Sequence, residues 1–410
     1  MTQTVDLLIT HASQLLTMED GLGLIEDGAV AVHNGKIVGV GKTAKLERQF
    51  QGTETFNAMG KTITPGLVDC HTHLLFAGSR ENEFISRLKG ADYLSILQQG
   101  GGILNTVEQV RQASSEMLIQ HGLKWLKEFL AHGVTCVEIK SGYGLDYANE
   151  KKMLEAIAAL RGLTQQHLVS TFLGAHTFPK ELRDQPEKQM DQLVNRMLPD
   201  FRELTDHCDL FLEKGAFSHD QAEVILKQAQ SLGYGLKMHA NQMSQMGGME
   251  LAKKYKLLSV EHLDTMSEQE IEMLAESGAV AVLLPGASFF LKEQWAPAIK
   301  LIEKQIPVAI ATDFNPGSSP CPNLHFVMNL AVHQLGMHPA EVWQAVTVAA
   351  AKALDKSEKI GSLTPGKYAD LVLWDMPNHL YPFYYFGKNF IEKVWVGGLV
   401  SLDVHCANAN

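Results

Sequence analysis

Positive charge and cysteine are both scarce in this 410-residue chain. Lys and Arg total 35 against 46 Asp and Glu, a formal net charge of -11. That balance argues against nucleic acid or an anionic membrane surface as a partner. The five cysteines (Cys70, Cys136, Cys208, Cys321 and Cys406) are odd in number, scattered, and without a C-x-x-C. They exclude a disulfide framework and predict reduced thiols in a cytoplasmic protein. No Lys or Arg precedes Lys36, so no signal-peptide n-region is expected. The most apolar stretch, Gly278 to Leu291, is broken by Pro285 and Gly286, which excludes a membrane span. Gly and Pro (34 and 14) are too few for low complexity, and 45% hydrophobic residues are too many for disorder. Repeats and linkers are also missing.

What is present is histidine, 17 in all, and their placement carries the argument. The chain opens and closes in short strand patterns: Val5–Thr10, Gly28–His33, Lys36–Val40 and Thr53–Asn57, then Ala369–Trp374 and Ile391–Val396. Asn34-Gly35 between two apolar runs predicts a hairpin. Between these ends lie eight short buried-strand runs: Gly66–His73, Val134–Lys140, Leu168–His176, Asp209–Glu213, Leu236–Ala240, Leu258–His262, Ala279–Leu284 and Pro307–Asp313. Helical patterns separate most of them, among them Glu150–Leu160, Asp220–Leu232, Ser267–Ser277 and Ala296–Lys304. Eight alternations predict an α/β chain folded as a (β/α)8 TIM-like barrel with its chemistry at the C-terminal strand ends. An open doubly wound sheet is disfavoured, because no glycine fingerprint follows the first strand. The long first connection contains Gly100-Gly101-Gly102, which reads either as a hinge for a cover over the barrel mouth or as a turn in a peripheral helical insertion.

The polar residues at the strand ends fall together. His71 and His73 are two apart and so share a face. His176, His239, His262 and Asp313 end later strands. Imidazoles and a carboxylate converging at a barrel mouth suit a zinc- or iron-type site with an open position for water. Cys70 faces away from the two histidines and is expected in the core. Gly39-Val40-Gly41-Lys42-Thr43 is not a P-loop, since Lys36 stands where the first glycine is required.

These segments also carry a resemblance. Pro65-Gly66-Leu67-Val68-Asp69-Cys70-His71-Thr72-His73, Lys237-Met238-His239, Val260-Glu261-His262 and Ala311-Thr312-Asp313 resemble the amidohydrolase superfamily. Glu138-Ile139-Lys140-Ser141-Gly142-Tyr143-Gly144-Leu145, Gly174-Ala175-His176 and Asp313-Phe314-Asn315-Pro316-Gly317-Ser318 are similar to its imidazolonepropionase family. The resemblance implies a small composite β-sandwich domain built from both chain ends, residues 1–62 and 355–410, around a barrel of residues 63–354. It implies one divalent metal ion, zinc or iron, held by His71, His73, His239 and Asp313. The implied reaction opens the ring amide of 4-imidazolone-5-propanoate to N-formimidoyl-L-glutamate in histidine degradation, by attack of a metal-bound hydroxide. His262 is expected to polarise the carbonyl, and Asp313 to carry the proton to the departing nitrogen. A homodimer is implied by resemblance alone.

The substrate is a small anion, so an acidic protein needs a local cation, and Arg80 is the candidate. By resemblance Arg80, Tyr143, His176 and Gln242 contact substrate, and Asn315, Gly317 and Ser318 contact substrate or product. Related deaminases carry Glu where Gln242 stands, and a neutral amide cannot act as acid or base at neutral pH, which counts against deamination. Glu213 on strand four is a candidate to bridge a second metal or to serve a structural role. The competing readings are another ring hydrolase or deaminase of the superfamily, and a noncatalytic barrel that binds or assembles.

Overall fold

The computed structural model describes residues 2–90 and 101–407. Both chain ends build one mixed sheet. Its spatial order is Leu399–Asp403, Ile391–Val396, Leu371–Trp374, Thr62–Pro65, Gln3–Leu16, Leu24–His33 and Lys36–Lys42, with Phe50–Asn57 also paired to Gln3–Leu16. Asn34 and Gly35 have φ of +50° and +73° and bring His33 opposite Lys36, so the hairpin forms where Asn-Gly predicts it. Leu7, Ile9, Val30, Val32, Ile63, Leu371 and Trp395 form the apolar face of this sheet.

The second sheet contains eight parallel strands in chain order: Leu67–Asp69, Val134–Lys140, His167–Ala175, His207–Leu212, Gly235–Ala240, Ser259–His262, Val280–Leu283 and Val308–Ile310. Covered on both faces, they read as continuous apolar runs, Val280–Leu283 being wholly buried. The ring closes just beyond its first and last strands. Thr72 bridges Phe314 in parallel register, the Asp313 N–H donates to the His71 carbonyl at 3.1 Å, and the His73 N–H donates to the Phe314 carbonyl at 3.0 Å. The sequence expectation of a (β/α)8 barrel with a small β domain from both ends is met.

The strands are shorter at the mouth than their apolar runs predict. Leu67–Asp69 stops before His71 and His73, and Val308–Ile310 stops before Asp313. The backbone bends there: Asp313 has φ +51° and His262, which closes its strand, has φ +76°. Such angles break the two-residue alternation of a strand. His262 can therefore face inward beside its inward-facing neighbour Glu261.

Helices wrap the barrel where capping signals start them. Asp146 accepts the Asn149 N–H at the start of Tyr147–Arg161, whose Met153, Leu154, Ile157 and Leu160 are buried. Ser267 and Glu270 make a reciprocal capping box at Glu268–Ser277. The long first connection holds three described helices, Glu81–Leu88, Ile103–Gln112 and Ser115–Ala131. Of its glycine run, Gly100 lies outside the described residues, whereas Gly102 borders the cavity at the barrel mouth. No helix among the described residues is long and apolar enough to cross a membrane. Four cysteines, Cys70, Cys136, Cys208 and Cys321, are free, and Cys70 packs in the apolar layer with Val68 and Cys136.

Candidate active site

A cavity of about 250 Å³ opens at the C-terminal ends of the barrel strands. His73, Arg80, Tyr143, His176, His239, Gln242, His262, Asp313, Asn315, Gly317 and Ser318 all line it, so residues spread over more than 240 positions meet in one place. His71 lies immediately behind, fully buried.

Three imidazoles and one carboxylate converge at its floor. Ligand atoms of His71, His73 and His239 lie within 4.8 Å of one another. Nε2 of His239 is 3.4 Å from Nε2 of His73, and Oδ1 of Asp313 is 3.3 Å and 3.5 Å from Nε2 of His71 and His73. Lone pairs facing each other at such distances, shut away from water, need a shared cation or proton. The charge says the same. Glu138, Asp209, Glu261 and Asp313 outnumber Lys140 and Lys237 in this buried region, and a charged His71 offsets only one of the two surplus carboxylates. The donor set of imidazoles and one carboxylate fits zinc or iron.

Burial and neighbours set the protonation of these groups. Burial disfavours a charged His71, but the Glu261 carboxylate at 2.6 Å and the bond to Asp313 together outweigh it and hold the pKa at about 9. His73 is pushed well down by burial and by the surrounding imidazoles. Burial likewise lowers His262 to about 3 and His176 to about 4, so both are neutral hydrogen-bonding groups near pH 7. Burial raises Asp313, yet its bond to His71 and the charge of the nearby histidines bring it below the usual carboxylate range. Asp69, bonded to the Thr312 hydroxyl at 2.7 Å, is pushed up to about 7 by burial.

The walls are set by local contacts. Gly142, at φ +102°, turns the chain so that its carbonyl contacts Nδ1 of His176 at 3.1 Å. His176 then stacks on His73 with centroids 5.1 Å apart, and the buried Tyr143 ring leans against both. Asn315 is largely spent on its own loop. Its amide donates to the Asp313 carbonyl and Ser318 Oγ, both at 2.7 Å, and its oxygen accepts the N–H groups of Gly317 and Ser318. Ser318 in turn donates to Oδ2 of Asp313 at 3.2 Å.

Arg80 is at the mouth as expected but is not alone. Its Nε and Nη2 reach Oε2 of Glu83 at 2.9 and 2.8 Å. Arg87 also lines the cavity, donating to the Gly317 carbonyl at 3.2 Å and lying over the Phe290 ring at 5.0 Å. Gln242 reaches Glu293 at 3.5 Å, and Glu293 is raised by burial and by nearby carboxylates. Glu83, Arg87 and Glu293 were not singled out from sequence. The Arg80–Glu83 spacing of three on one helix was the available signal for the first.

Glu213 stands apart from the histidines in function. It accepts the Met243 and Ser244 N–H groups at 2.9 and 3.2 Å and the Ser244 hydroxyl, so it organises the loop after strand five. Neither metal-capable group among the described residues includes it.

Comparisons with known proteins bear on the family and the fold. The sequence pattern of the Amidohydrolase family matches residues 62–400. Imidazolonepropionase of Alkaliphilus oremlandii (strain OhILAs) is 44% identical over 416 residues, covering 97% of this chain and 98% of that protein. Imidazolonepropionase of Streptococcus pyogenes serotype M1 is 41% identical over 414 residues, covering 97% and 98%. Among solved structures, a zinc-bound adenosine deaminase from Xanthomonas campestris superposes with TM-score 0.77 at 21% identity, covering 98% of this chain and 94% of that one. Guanine deaminase of E. coli superposes with TM-score 0.71 at 17% identity, covering 97% and 98%. At those identities the structural likenesses bear on the fold alone.

Proposed function

Since this chain belongs to the amidohydrolase family and, within it, to the imidazolonepropionases, we propose that it opens the ring amide of 4-imidazolone-5-propanoate to N-formimidoyl-L-glutamate in histidine degradation. It is a metal-dependent hydrolase of a cyclic amide C–N bond. The observation that carries the site assignment is the convergence of His71, His73, His239 and Asp313 in a buried region with more carboxylates than lysines.

Those four residues would hold the divalent ion, zinc or iron, which supplies Lewis acidity and lowers the pKa of a water to about 7. The remaining work falls to the chain itself. Asp313 takes the proton of the attacking water and delivers it to the departing ring nitrogen, with Ser318 holding its second oxygen. Neutral His262 donates a hydrogen bond to the substrate carbonyl and to the oxyanion that develops there. Arg80 binds the propanoate, and Tyr143, His176 and Gln242 line the ring's position. Asn315, Gly317 and Ser318 contact substrate or product, and Gly317 packs against Arg80. The neutral amide of Gln242 supports hydrolysis over deamination, as it cannot move protons to a ring. The same reading makes the protein a cytoplasmic homodimer.

The test is a substrate screen on metal-loaded protein. Rapid loss of 4-imidazolone-5-propanoate without ammonia release is expected, with about one transition-metal ion per chain by elemental analysis. Ammonia release from guanine or cytosine, with the imidazolone untouched, would overturn the assignment.

A further inference from the structure

Behind the ligand histidines lies a second cluster that the reaction steps do not use. Glu138, Lys140, Asp209, Lys237 and Glu261 come from barrel strands two, four, five and six, and every one of these side chains is fully buried. Nζ of Lys140 is 2.7 Å from Asp209 and 3.0 Å from both Glu138 and Glu261. Nζ of Lys237 is 2.7 Å from Glu138 and 2.9 Å from Glu261. Buried ion pairs seldom improve stability over an apolar core, so five such charges suggest a role other than packing.

The cluster's outer edge meets two of the proposed ligands. Oε2 of Glu261 is 2.6 Å from Nδ1 of His71, and Oδ2 of Asp209 is 3.0 Å from Nδ1 of His239. An imidazole that donates from Nδ1 presents a bare Nε2 on its other side. Asp209, His239 and Glu261 could themselves group around an ion, but the Lys140 ammonium already lies against both carboxylates.

We propose that Lys140 and Lys237 are fixed internal cations that keep Glu261 and Asp209 as acceptors, making those two carboxylates positioning residues that turn Nε2 of His71 and His239 toward a single divalent ion. This rests on the reading of His71, His73, His239 and Asp313 as ligands.

Each carboxylate is used on both sides, so its amide cannot replace it. In Glu261, Oε1 accepts the Ser259 hydroxyl at 3.0 Å and lies 2.9 Å from Nζ of Lys237, while Oε2 faces Nδ1 of His71 and Nζ of Lys140. Glu261→Gln must point its NH2 at one of these donor pairs. If it faces His71, the imidazole has to accept at Nδ1 and carry its proton on Nε2, where the ion should bind. In Asp209, Oδ1 accepts the Leu210 N–H at 2.7 Å and Oδ2 serves Lys140 and His239, so Asp209→Asn meets the same conflict.

The experiment is a chelator-competition titration of metal-free protein with Co²⁺, followed by visible absorption, for wild type, Glu261→Gln, Asp209→Asn and Lys140→Met. Far-UV circular dichroism and the melting of each metal-free protein monitor folding. Each variant is expected to bind Co²⁺ about ten- to a hundredfold more weakly than wild type, the usual cost of losing such an outer partner. Folded amide variants with wild-type affinity and an unchanged Co²⁺ spectrum would overturn the proposal. Failure of the wild type to bind Co²⁺ would instead overturn the ligand assignment beneath it. Should the variants fail to fold, ¹⁵N NMR of the wild-type imidazoles in the zinc-loaded protein decides the matter. Nδ1–H tautomers at His71 and His239 are expected, and Nε2–H at either would refute the idea.

Discussion

Gly317→Ala separates substrate positioning from folding. An alanine Cβ at 317 would lie 2.1 Å from Nη1 of Arg80 and 3.0 Å from its Cζ. Comfortable packing needs about 3.5 Å, so the guanidinium must retreat by more than about 1 Å. The atom that yields is the end of a flexible side chain, and the next neighbour, Oδ1 of Asn315, is at a tolerable 3.4 Å. Gly317 is not among the positive-φ glycines, so the backbone accepts alanine without strain. The folded protein should therefore survive, with Arg80 pushed off its place beside Glu83 and off the substrate carboxylate. A hydrogen bond to a charged group contributes about 1.5–3 kcal/mol. At about 1.4 kcal/mol per factor of ten, the KM for 4-imidazolone-5-propanoate should rise roughly 10- to 150-fold, with kcat little changed. Steady-state kinetics measures both constants, and thermal melting should place the variant within a few degrees of wild type. A substrate analogue without the propanoate carboxylate should be turned over equally by both proteins. An unchanged KM in folded Gly317→Ala, or a loss confined to kcat, would refute the assignment of Arg80 to the carboxylate.

Three other outcomes are expected. Asp313→Asn removes the proposed ligand and proton carrier and should cost about 10²–10⁴ in kcat; near wild-type turnover with metal bound would remove Asp313 from proton transfer. Stripping the metal with a chelator should lower the melting temperature and make it depend on added metal, since an ion at a hundred times its Kd stabilises by about 2.7 kcal/mol; identical melting with and without metal would contradict the site. His325, buried against the His132 carbonyl, has its pKa pushed down to about 3 by burial and then by His132. The unfolded chain therefore binds a proton below about pH 6.5 that the folded one refuses, so this stability is complete above that pH and falls as pH drops. Between pH 7 and 5 the loss is about 2 kcal/mol, and His325→Gln should lack it in paired urea titrations.

The fold was legible because its signals are local. Val134–Lys140 and Ile391–Val396 have the predicted limits, and Asn34-Gly35 marks its hairpin, since apolar runs and turn residues act over a few positions. Strand ends at the mouth were less legible. His71, His73 and Asp313 belong to bent segments past the strands, where the backbone is shaped by bridges such as Thr72 to Phe314. They were still found, because a histidine or aspartate following an apolar strand stands out by residue type. The cation proposed for the substrate was half legible: Arg80 lines the cavity, but its pairing with Glu83 and the nearby Arg87 depend on how the first connection folds back.

The buried charges behind the ligands show what a single sequence withholds. Glu138 and Lys140 are two apart, as are Lys237 and His239, so the parity of each strand already turns them to a common face. What parity cannot give is which charge meets which across the barrel. Lys140 is a lone cation at the end of one strand until closure brings Asp209 and Glu261 to 2.7 and 3.0 Å from it. The same closure makes its burial tolerable, because an ammonium inside a barrel persists only when carboxylates surround it. Read in reverse, charged residues at alternating positions of strands otherwise apolar enough to be buried must find partners across the interior. Glu138, Lys140, Asp209, Lys237 and Glu261 satisfy one another in this way, leaving a surplus of carboxylate to which Asp313 adds at the proposed ligand histidines. A barrel that buries such an excess suits a divalent cation beside those histidines, while the two lysines already lie between the carboxylates behind them.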